Sequence, residues 1–396
     1  MRVLLTSEAR FERTPDGVLW GAAPYGAVMW RRYLDVFSSA LLIARVTDVR
    51  RPSPGSVEAL SPEIDCCPLP PYAGLGGLLR HLGPVHAAVS RSIRACDAVI
   101  VRSPSPIAFM TSRAMLAAGR PYAAQIVGDP DQVFAAGAFR HPLRVPLRRL
   151  ATLAQQQLSR DAAAVLFVTK RVLQGKYPTR GRAYSASDVS LDDSDFDACP
   201  AHRGRRGALF TLVTVASLDQ PYKGMAVLLE AIARLCQQEA AVRLQIVGAG
   251  RLLPALQQQS LALGLGSAVD FLGQLDRDGV RGILKSADLY VQPSLTEGLP
   301  RALLEAMAQG LAAVASDVGG IPELLPPDCL VPRGDAGRLA DAIAAFMASD
   351  RWRATAGERN RHVASAYHER EQTALRKEFL RSVASDVLLA REAVCA

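Results

Sequence analysis

The chain has 396 residues, of which 49% are hydrophobic and 21% are charged, and its formal net charge is +8. This length exceeds one ordinary hydrophobic core and predicts two domains, while the composition excludes a largely disordered chain. No apolar run reaches the roughly 18 residues of a membrane-spanning helix, and the first apolar segment stops too soon for a secretory signal. We therefore expect a cytoplasmic protein.

Cysteines and charges narrow the partners that we expect. The seven cysteines include the adjacent Cys66 and Cys67 but no CxxC spacing, which argues against a zinc site and against a disulfide framework. Residues 140–182, from Arg140 to Arg182, carry ten Lys or Arg against the single acid Asp161. Anionic lipid and phosphorylated substrates are therefore candidate partners. Aromatic residues are sparse in this region, and we expect no nucleic-acid partner.

The first half of the chain predicts alternating strands and helices. Hydrophobic patterning predicts strands at 1–7, 40–49, 97–101, 121–127 and 163–168, and helices at 28–37 and 107–118. This alternation is typical of a doubly wound α/β sheet, whose ligands gather at the C-terminal ends of the strands. Such ends carry Arg102 and Gly128-Asp129. A glycine-rich loop with Trp20 and Tyr25 follows the first strand and either faces a ligand or is a structural turn.

A basic amphipathic helix is predicted near the middle of the chain. Leucine and alanine recur at helical spacing, and Arg144 and Arg148 lie four residues apart on a neighbouring face. The apolar positions are Leu143, Leu147, Leu150, Ala154 and Leu158. This helix either packs on its own domain or binds an anionic membrane surface. The polar, turn-rich segment Asp188 to Arg206 is predicted to link the two domains.

The alternation starts again in the second half. Strands are predicted at 209–216, 242–247, 269–273, 287–292 and 312–315, and helices at 225–235, 252–263, 278–285 and 302–309. From Ala336 onward the pattern is almost entirely helical, and Leu375, Phe379, Val383 and Val387 mark one face of a long last helix. Gly248-Ala-Gly250 lacks the third glycine of a dinucleotide-binding fingerprint, which disfavours a dinucleotide-dependent oxidoreductase.

The segment 293–310 is predicted to form a strand end, a tight turn and a helix start. Glu297 and Glu305 are separated by seven residues, or roughly 12 Å along a helix axis, so they do not form one close catalytic pair. Between them the free amides of a helix N-terminus provide a site for phosphate. Two hydroxyl-binding carboxylates around a phosphate site suit a nucleotide sugar. The alternative is two ordinary helix carboxylates.

The second half resembles the donor-binding domain of family 4 glycosyltransferases, which are retaining enzymes of the GT-B architecture. The matching segments, in the expected order, are Tyr222-Lys223-Gly224, Ile246-Val247-Gly248-Ala249-Gly250, Phe271-Leu272-Gly273, Glu297-Gly298-Leu299-Pro300 through Glu305, and Gly319-Gly320-Ile321-Pro322-Glu323. In the first half, Val127 to Asp131, Phe167 to Thr179 and Ala186 to Ser190 resemble members that build bacterial surface polysaccharides.

This resemblance implies an α/β fold with two Rossmann-like doubly wound domains facing across a cleft. The expected boundaries are 1–190 for an acceptor-binding domain, 205–368 for a donor-binding domain and 369–396 for a helix that returns to the first domain. The expected activity is the transfer of a sugar from a nucleotide-diphosphate donor to a hydroxyl acceptor. That acceptor is expected to be a lipid-diphosphate-linked glycan, with the enzyme peripheral at the inner face of the cytoplasmic membrane and with no metal or other cofactor.

The resemblance also implies roles for individual residues. Lys223 and the amides after Glu297 would hold the diphosphate, Glu305 would bind the ribose and Glu297 the transferred sugar. The expected catalytic residues are Glu297, Lys223 and Asp129. The remaining expected donor contacts are Ser217, Gly248, Leu275, Gly298, Leu299, Pro300 and Gly21, and the expected acceptor contacts are Trp20, Tyr25, Arg102 and Asp129.

Two positions depart from the family pattern. Many members have an arginine beside the diphosphate where this chain has Ser217, and a histidine where it has Gly128. A catalytic histidine is therefore not expected at that position, and Asp129 is either a sugar contact or a turn residue. These departures keep open a non-catalytic nucleotide-sugar-binding scaffold. A transferase that acts on a small-molecule natural product is a further alternative.

Overall fold

The computed structural model describes residues 1–22, 25–134, 143–196 and 209–395. Within them the chain divides into two compact units. Unit 1 comprises Met1–Pro130, Arg149–Ala186 and Thr373–Ala396, and unit 2 comprises Asp131–Arg148 and Ser187–Gln372. Arg140 and residues 197–206 of the expected linker lie outside the described residues.

Unit 1 is built on one nine-stranded sheet. Its strands are β1 (Arg2–Arg13), β2 (Leu19–Ala22), β3 (Ser39–Asp48), β4 (Ser56–Glu58), β5 (Ile64–Leu69), β6 (Ala98–Ser103), β7 (Ala123–Ile126), β8 (Ala164–Phe167) and β9 (Arg182–Ser185). The path runs β4-β2-β1-β6-β7-β8-β9, and β3 pairs with both β1 and β5. Every pairing is parallel except those of β2 with β1 and with β4.

Helices lie between these strands along the chain. They are α1 (Ala27–Arg31), α2 (Gly74–Arg80), α3 (Leu82–Arg94), α4 (Pro106–Ala117), α5 (Pro130–Val133), α6 (Arg144–Asp161) and α7 (Val172–Lys176). Asp131–Arg148, which holds most of α5 and the start of α6, belongs to unit 2. The short central strands β7 and β8 are buried at every position, as expected of parallel strands covered on both faces. The C-terminal ends of the parallel strands therefore carry the polar residues of unit 1.

Unit 2 is a six-stranded, fully parallel sheet in the order β12-β11-β10-β13-β14-β15. Its strands are β10 (Phe210–Val215), β11 (Val242–Val247), β12 (Val269–Gly273), β13 (Leu289–Gln292), β14 (Ala313–Ser316) and β15 (Leu330–Val331). Its helices are α8 (Met225–Gln237), α9 (Leu253–Ala262), α10 (Arg277–Ser286), α11 (Arg301–Ala308), α12 (Ala336–Met347) and α13 (Asp350–Ser365). Two parallel-sheet units of this kind confirm the predicted Rossmann-like α/β class.

The last helix, α14 (Glu369–Cys395), contributes to the core of unit 1. Phe379 and Val383 are buried in that core and Val387 packs against it, as the sequence pattern predicts. Leu375 is instead 38% exposed, which corrects the predicted face. The buried face passes through Gln372 and Arg376, because steps of four residues drift around a helix with 3.6 residues per turn.

The N-terminal region differs most from the sequence-based prediction. The helix predicted at 28–37 is only α1, after which the chain continues as turns to residue 36. Strands β2, β4 and β5 and helices α2 and α3 were not predicted. Pro52, Pro54 and Gly55 make residues 50–60 read as a loop, and the short edge strands there have no clear alternation of apolar and polar residues.

Candidate functional site

Glu297 lies in the turn between strand β13 and helix α11, where its carboxylate pairs with Lys223. The Lys223 Nζ lies 2.8 Å from Glu297 Oε2 and 3.1 Å from Oε1. Both side chains are largely buried, with 20% and 10% of their surfaces exposed. The structure therefore brings together two of the three residues that were predicted to be catalytic.

A backbone hydrogen bond and a close backbone contact join the turn that carries Lys223 to the turn that carries Glu297. The amide of Leu295 donates to the carbonyl oxygen of Tyr222 at 2.7 Å. Gly224 has a φ of +75°, and a Cβ at this position would lie 1.9 Å from the carbonyl oxygen of Pro293. Only glycine fits this conformation and this close approach. The two turns are thus fixed to each other by the main chain.

Gly224→Ala should lower the free energy of unfolding by about 2 kcal/mol or more, because it adds a backbone clash to the cost of a left-handed alanine. Gly264→Ala is the matched control, since Gly264 has a φ of +69° with nothing within 4 Å of its Cβ position, and should lose about 1 kcal/mol. Urea unfolding measures both. Equal losses in the two variants would show that the contact with Pro293 has no energetic weight.

The helix start after Glu297 presents backbone amides. Helix α11 has Pro300 as its N-cap, with no side-chain capping hydrogen bond. The Gly320 amide donates to the Gly298 carbonyl oxygen at 2.8 Å. A Cβ on Gly319 would lie 1.8 Å from the Glu297 carbonyl oxygen. The paired glycines thus support the turn of Glu297, Gly298 and Leu299 from behind by close backbone contact.

Glu305 lies within α11, and 17% of its side chain is exposed. Burial raises the pKa of this carboxyl above its ordinary value, and Arg301, whose Nε lies 3.7 Å from Oε1, acts in the opposite direction. Arg301 is 62% exposed, so solvent screens this pair. A largely buried carboxylate is a good acceptor for ligand hydroxyl groups, because few protein donors compete for its oxygens.

Glycines bring two further loops of unit 2 together. A Cβ on Gly248 would lie 1.9 Å from the carbonyl oxygen of Ala216, which forces the turn after β11 against the turn after β10. Ser217 lies on that second turn, and its Oγ donates to Asp219 at 3.2 Å. Leu275 packs at the edge of the unit 2 core, directly before α10. Gly248, Ser217 and Leu275 therefore all follow C-terminal ends of strands in one sheet.

Arg251 is a cation that the sequence analysis missed. Its Nε donates to the Asp219 carbonyl oxygen at 2.9 Å, and its amide donates to Asp219 Oδ1 at 2.9 Å. The side chain is exposed and belongs to the same turns as Ser217. Its position directly after Gly248-Ala249-Gly250 was a usable signal, because glycine turns at strand ends commonly carry ligand-binding residues.

In unit 1, Asp129 follows strand β7 and is already engaged. Its Oδ2 lies 2.7 Å from Lys176 Nζ, and its Oδ1 accepts a hydrogen bond of 2.6 Å from the Tyr177 hydroxyl. Only 10% of its side chain is exposed. Asp129 therefore holds the β7 and α7 ends together, and its catalytic role stays a prediction.

The other unit 1 candidates have mixed environments. Arg102 donates to Gln125 Oε1 at 3.3 Å, and the Trp20 indole donates to Thr14 Oγ1 at 3.1 Å. Gly21 lies against the Phe11 ring, which a Cβ would approach to 2.8 Å. Tyr25 is 36% exposed. Trp20 and Gly21 thus have structural contacts, and Tyr25 presents an accessible ring.

The described part of the chain contains neither a metal-binding group of side chains nor a membrane-spanning helix. Within residues 1–22, 25–134, 143–196 and 209–395, no group of three or more His, Cys, Asp or Glu side chains has a metal-binding arrangement. In the same ranges, no helix combines the length and the apolar character that crossing a membrane requires.

Comparison with protein families gives a match over residues 210–349, to the family described as Glycosyl transferases group 1. The chain contains a group 1 glycosyl transferase domain. This glycosyltransferase domain holds Lys223, Glu297 and Glu305, so the site described above lies within the matched residues.

Among curated proteins, this chain is 25% identical to Protein CapJ of Staphylococcus aureus, over 89% of this chain and 88% of CapJ. It is 37% identical to the putative colanic acid biosynthesis glycosyltransferase WcaL of Escherichia coli K12 over 35% of this chain and 36% of WcaL. It is 38% identical to the phosphatidyl-myo-inositol mannosyltransferase of Mycobacterium leprae over 35% and 38%. The last two matches span little more than a third of those relatives.

Solved structures share the fold of the whole chain. Sucrose-phosphate synthase from Thermosynechococcus elongatus has a TM-score of 0.70 at 18% identity and covers 97% of this chain and 99% of its own. Anabaena HepE, solved in complex with UDP and glucose, has a TM-score of 0.65 at 19% identity, with 97% and 100% covered. The predicted GT-B architecture is therefore confirmed, and the chain is related to enzymes of bacterial polysaccharide synthesis.

Proposed function

We propose that this glycosyltransferase moves a sugar from a nucleotide-diphosphate donor to a hydroxyl acceptor with retention of the anomeric configuration. The observation that carries the proposal is the ion pair of Lys223 and Glu297 at the start of helix α11, with the buried Glu305 two turns further along. One cation, a helix N-terminus and two carboxylates match the diphosphate, the sugar and the ribose of one donor.

In this proposal, Lys223 and the amides of Gly298 and Leu299 bind the diphosphate. Cleavage of the sugar-phosphate bond leaves negative charge on the departing nucleoside diphosphate, and fixed positive groups aimed at that charge lower the barrier. The N-terminal dipole of α11 adds to the same field. These groups supply the stabilisation without a metal ion, so turnover should persist in the presence of EDTA.

The two carboxylates have separate roles. Glu305 accepts hydrogen bonds from the ribose hydroxyls, and Glu297 binds hydroxyls of the transferred sugar near the reacting carbon. Because Ser217 replaces a charged side chain of the family pattern, Lys223 and Arg251 supply the positive charge of these loops. HepE binds UDP and glucose, which supports a uridine nucleotide as the first donor to test.

The proposed acceptor is a lipid-diphosphate-linked glycan in bacterial exopolysaccharide, capsule or O-antigen synthesis. The relation to WcaL and to the amylovoran biosynthesis glycosyltransferase AmsK of Erwinia amylovora supports this class. Trp20, Tyr25, Arg102 and Asp129 would contact the acceptor from unit 1. A small-molecule acceptor and a non-catalytic nucleotide-sugar-binding scaffold are the alternatives that the experiments below separate.

We also propose that the enzyme is cytoplasmic and binds the inner face of the membrane through α6. The first ten residues of this helix expose apolar side chains: Val145 is 42%, Leu150 66% and Leu153 62% exposed. Only its C-terminal half has buried residues, among them Leu158. Exposed leucines beside arginines are typical of helices that lie in a membrane interface.

Replacing Arg144 and Arg148 together with Gln should weaken sedimentation with phosphatidylglycerol-containing vesicles by about 30-fold, because each basic side chain contributes about 1 kcal/mol near an anionic surface. The charge-matched control replaces Arg338 and Arg351, which are exposed on α12 and α13, and should bind as the native protein does. Unchanged sedimentation of the Arg144 and Arg148 variant would exclude this helix as the membrane contact.

Protection from thermal unfolding tests the donor proposal directly. A ligand present at about 100 times its dissociation constant stabilises the folded state by about 2.7 kcal/mol. We expect one or more members of a panel of UDP-glucose, UDP-galactose, UDP-N-acetylglucosamine and GDP-mannose to raise the melting temperature, and the corresponding free sugars to have no effect. No protection by any nucleotide or nucleotide sugar would contradict the donor site.

A further inference from the structure

Three polar side chains form a continuous line behind Glu297. The Tyr290 hydroxyl donates to Gln292 Oε1 at 2.7 Å, and Gln292 Nε2 donates to Ser294 Oγ at 2.8 Å. Ser294 Oγ in turn donates to Glu297 Oε2 at 3.0 Å, and Gln292 Nε2 lies 3.4 Å from the same oxygen. Tyr290 and Gln292 alternate along β13, so their side chains lie on one face of the strand, and Ser294 follows two residues after the strand ends.

The line is buried and runs in one direction. Tyr290, Gln292 and Ser294 are 0%, 2% and 0% exposed. Each acceptor oxygen receives a hydrogen bond from the preceding member of the line, so the amide of Gln292 has one orientation that satisfies both neighbours. Polar groups at this depth are costly unless they are paired. Such a fully paired line holds its last member, the Glu297 carboxylate, in a fixed place.

The first member of the line is a reliable donor. Burial raises the pKa of Tyr290 above its ordinary value, so its hydroxyl keeps its proton. At the other end, Glu297 Oε2 also receives Lys223 Nζ at 2.8 Å, whereas Lys223 lies further from Oε1, at 3.1 Å. The hydrogen bonds from the strand therefore converge on one oxygen of Glu297 and leave the other oxygen with more free capacity to accept from a ligand hydroxyl.

We infer that Gln292 and Ser294 are positioning residues for Glu297, which orient its carboxylate so that Oε1 meets a hydroxyl of the transferred sugar. The inference rests on the proposed function, because it assumes that Glu297 binds that sugar. Tyr290 acts one step further back and fixes the amide of Gln292. A carboxylate that is already oriented needs no rearrangement when the transition state forms. Loss of this orientation should therefore lower turnover and leave the nucleotide contacts intact.

The test compares Gln292→Leu with the native protein, using the nucleotide sugar of the four-member panel that the native protein hydrolyses fastest. We expect kcat to fall about tenfold or more, while UDP still raises the melting temperature as it does for the native protein. Ser294→Ala should show the same separation. Gln245→Leu is the matched control, because Gln245 lies on β11, which β10 separates from β13 in the same sheet; it should keep native turnover.

The pH dependence of turnover in Gln292→Glu distinguishes a positioning role from a merely structural one. The introduced carboxylate cannot donate to Ser294 or to Glu297, but it regains a proton donor when it is protonated. The turnover of Gln292→Glu divided by that of Gln292→Leu should therefore rise as the pH falls from about 8 to about 5. A pH-independent ratio, or native kcat in Gln292→Leu, would overturn the positioning role.

Failure of the proposed function gives a different result. If Glu297→Gln kept full turnover, Glu297 would not be the sugar contact, whatever Gln292 does. If no member of the panel were hydrolysed by the native protein, both catalysis and the inference built on it would be contradicted, whereas protection by UDP would still support the donor site. If Glu297→Gln lost turnover while Gln292→Leu and Ser294→Ala kept it, the positioning role alone would be wrong.

Discussion

Lys223→Ala should lower kcat for donor cleavage by about 100- to 1,000-fold, because it removes the fixed cation that meets the charge on the departing diphosphate. Lys223 makes its side-chain contacts with Glu297 inside a site that is mostly buried, so solvent screens its field only weakly. The measurement is the rate of nucleoside diphosphate release at saturating donor. Removal of the cation also leaves Glu297 without its partner, so melting temperatures should be compared in parallel.

Lys285→Ala is the matched control for this variant. Lys285 lies at the C-terminal end of α10 in the same unit, and its removal takes away an equal charge without touching Glu297. We expect native kcat for this control. Equal rates for the native protein, Lys285→Ala and Lys223→Ala would show that the Lys223 ammonium does not stabilise the leaving group.

Glu305→Gln should weaken UDP binding about tenfold and at the same time stabilise the unliganded protein at neutral pH. The first effect follows from the loss of charge-assisted hydrogen bonds to the ribose. The second follows from burial, which raises the pKa of Glu305 and so makes its ionised form costly in the folded state. Calorimetric titration with UDP and urea unfolding measure the two effects separately. Glu230→Gln, on the exposed surface of α8, should change neither.

The pH dependence of this stability difference has a definite sign. Burial raises the folded-state pKa of Glu305 above its ordinary value of 4.5. Below about pH 4 the carboxyl is therefore mostly protonated in both the folded and the unfolded protein, and its burial costs the native protein no stability. As the pH rises through the folded-state pKa, the buried charge appears and the native protein loses stability. The gain from Glu305→Gln should therefore be absent near pH 4 and present at pH 7. A gain that is independent of pH would contradict this assignment.

Several strands of both sheets could be predicted from the sequence. Strands β11 and β12 were predicted at their observed bounds, because each is a run of strand-forming residues that ends at a glycine turn, at Gly248 and Gly273. The elements between residues 50 and 95 could not. The Pro and Gly residues there hide edge strands whose pairing is decided by partners distant in the chain, such as β5 with β3.

The candidate site was predictable to a similar extent. The spacing of Glu297 and Glu305 and the lysine before Gly224 identified the residues that the structure places in unit 2. The pairing of Lys223 with Glu297 and the line from Tyr290 through Ser294 could not be read beforehand, because hydrogen-bond partners depend on side-chain direction in the folded chain. In hindsight, three polar residues in alternation at the end of an otherwise apolar strand were the signal.

The exposed leucines of α6 show a different limit. Helical spacing of Leu143, Leu150 and Leu158 predicts one apolar face, but it does not tell whether protein or lipid covers that face. In the structure Leu158 is buried, whereas Leu143, which directly precedes α6, and Leu150 are 53% and 66% exposed. The same pattern therefore serves two environments along one helix. This difference is the reason for testing the N-terminal half with vesicles.

Release of nucleoside diphosphate from the four-member nucleotide-sugar panel tests the central claim most directly. We expect the native protein to cleave at least one donor. An acceptor glycan on a lipid diphosphate should accelerate the release of nucleoside diphosphate, and Lys223→Ala should abolish nearly all of it. The contradicting result is a native protein that binds a nucleotide sugar but releases no nucleoside diphosphate when the acceptor is present, with Lys223→Ala behaving in the same way. That result would favour a nucleotide-sugar-binding scaffold.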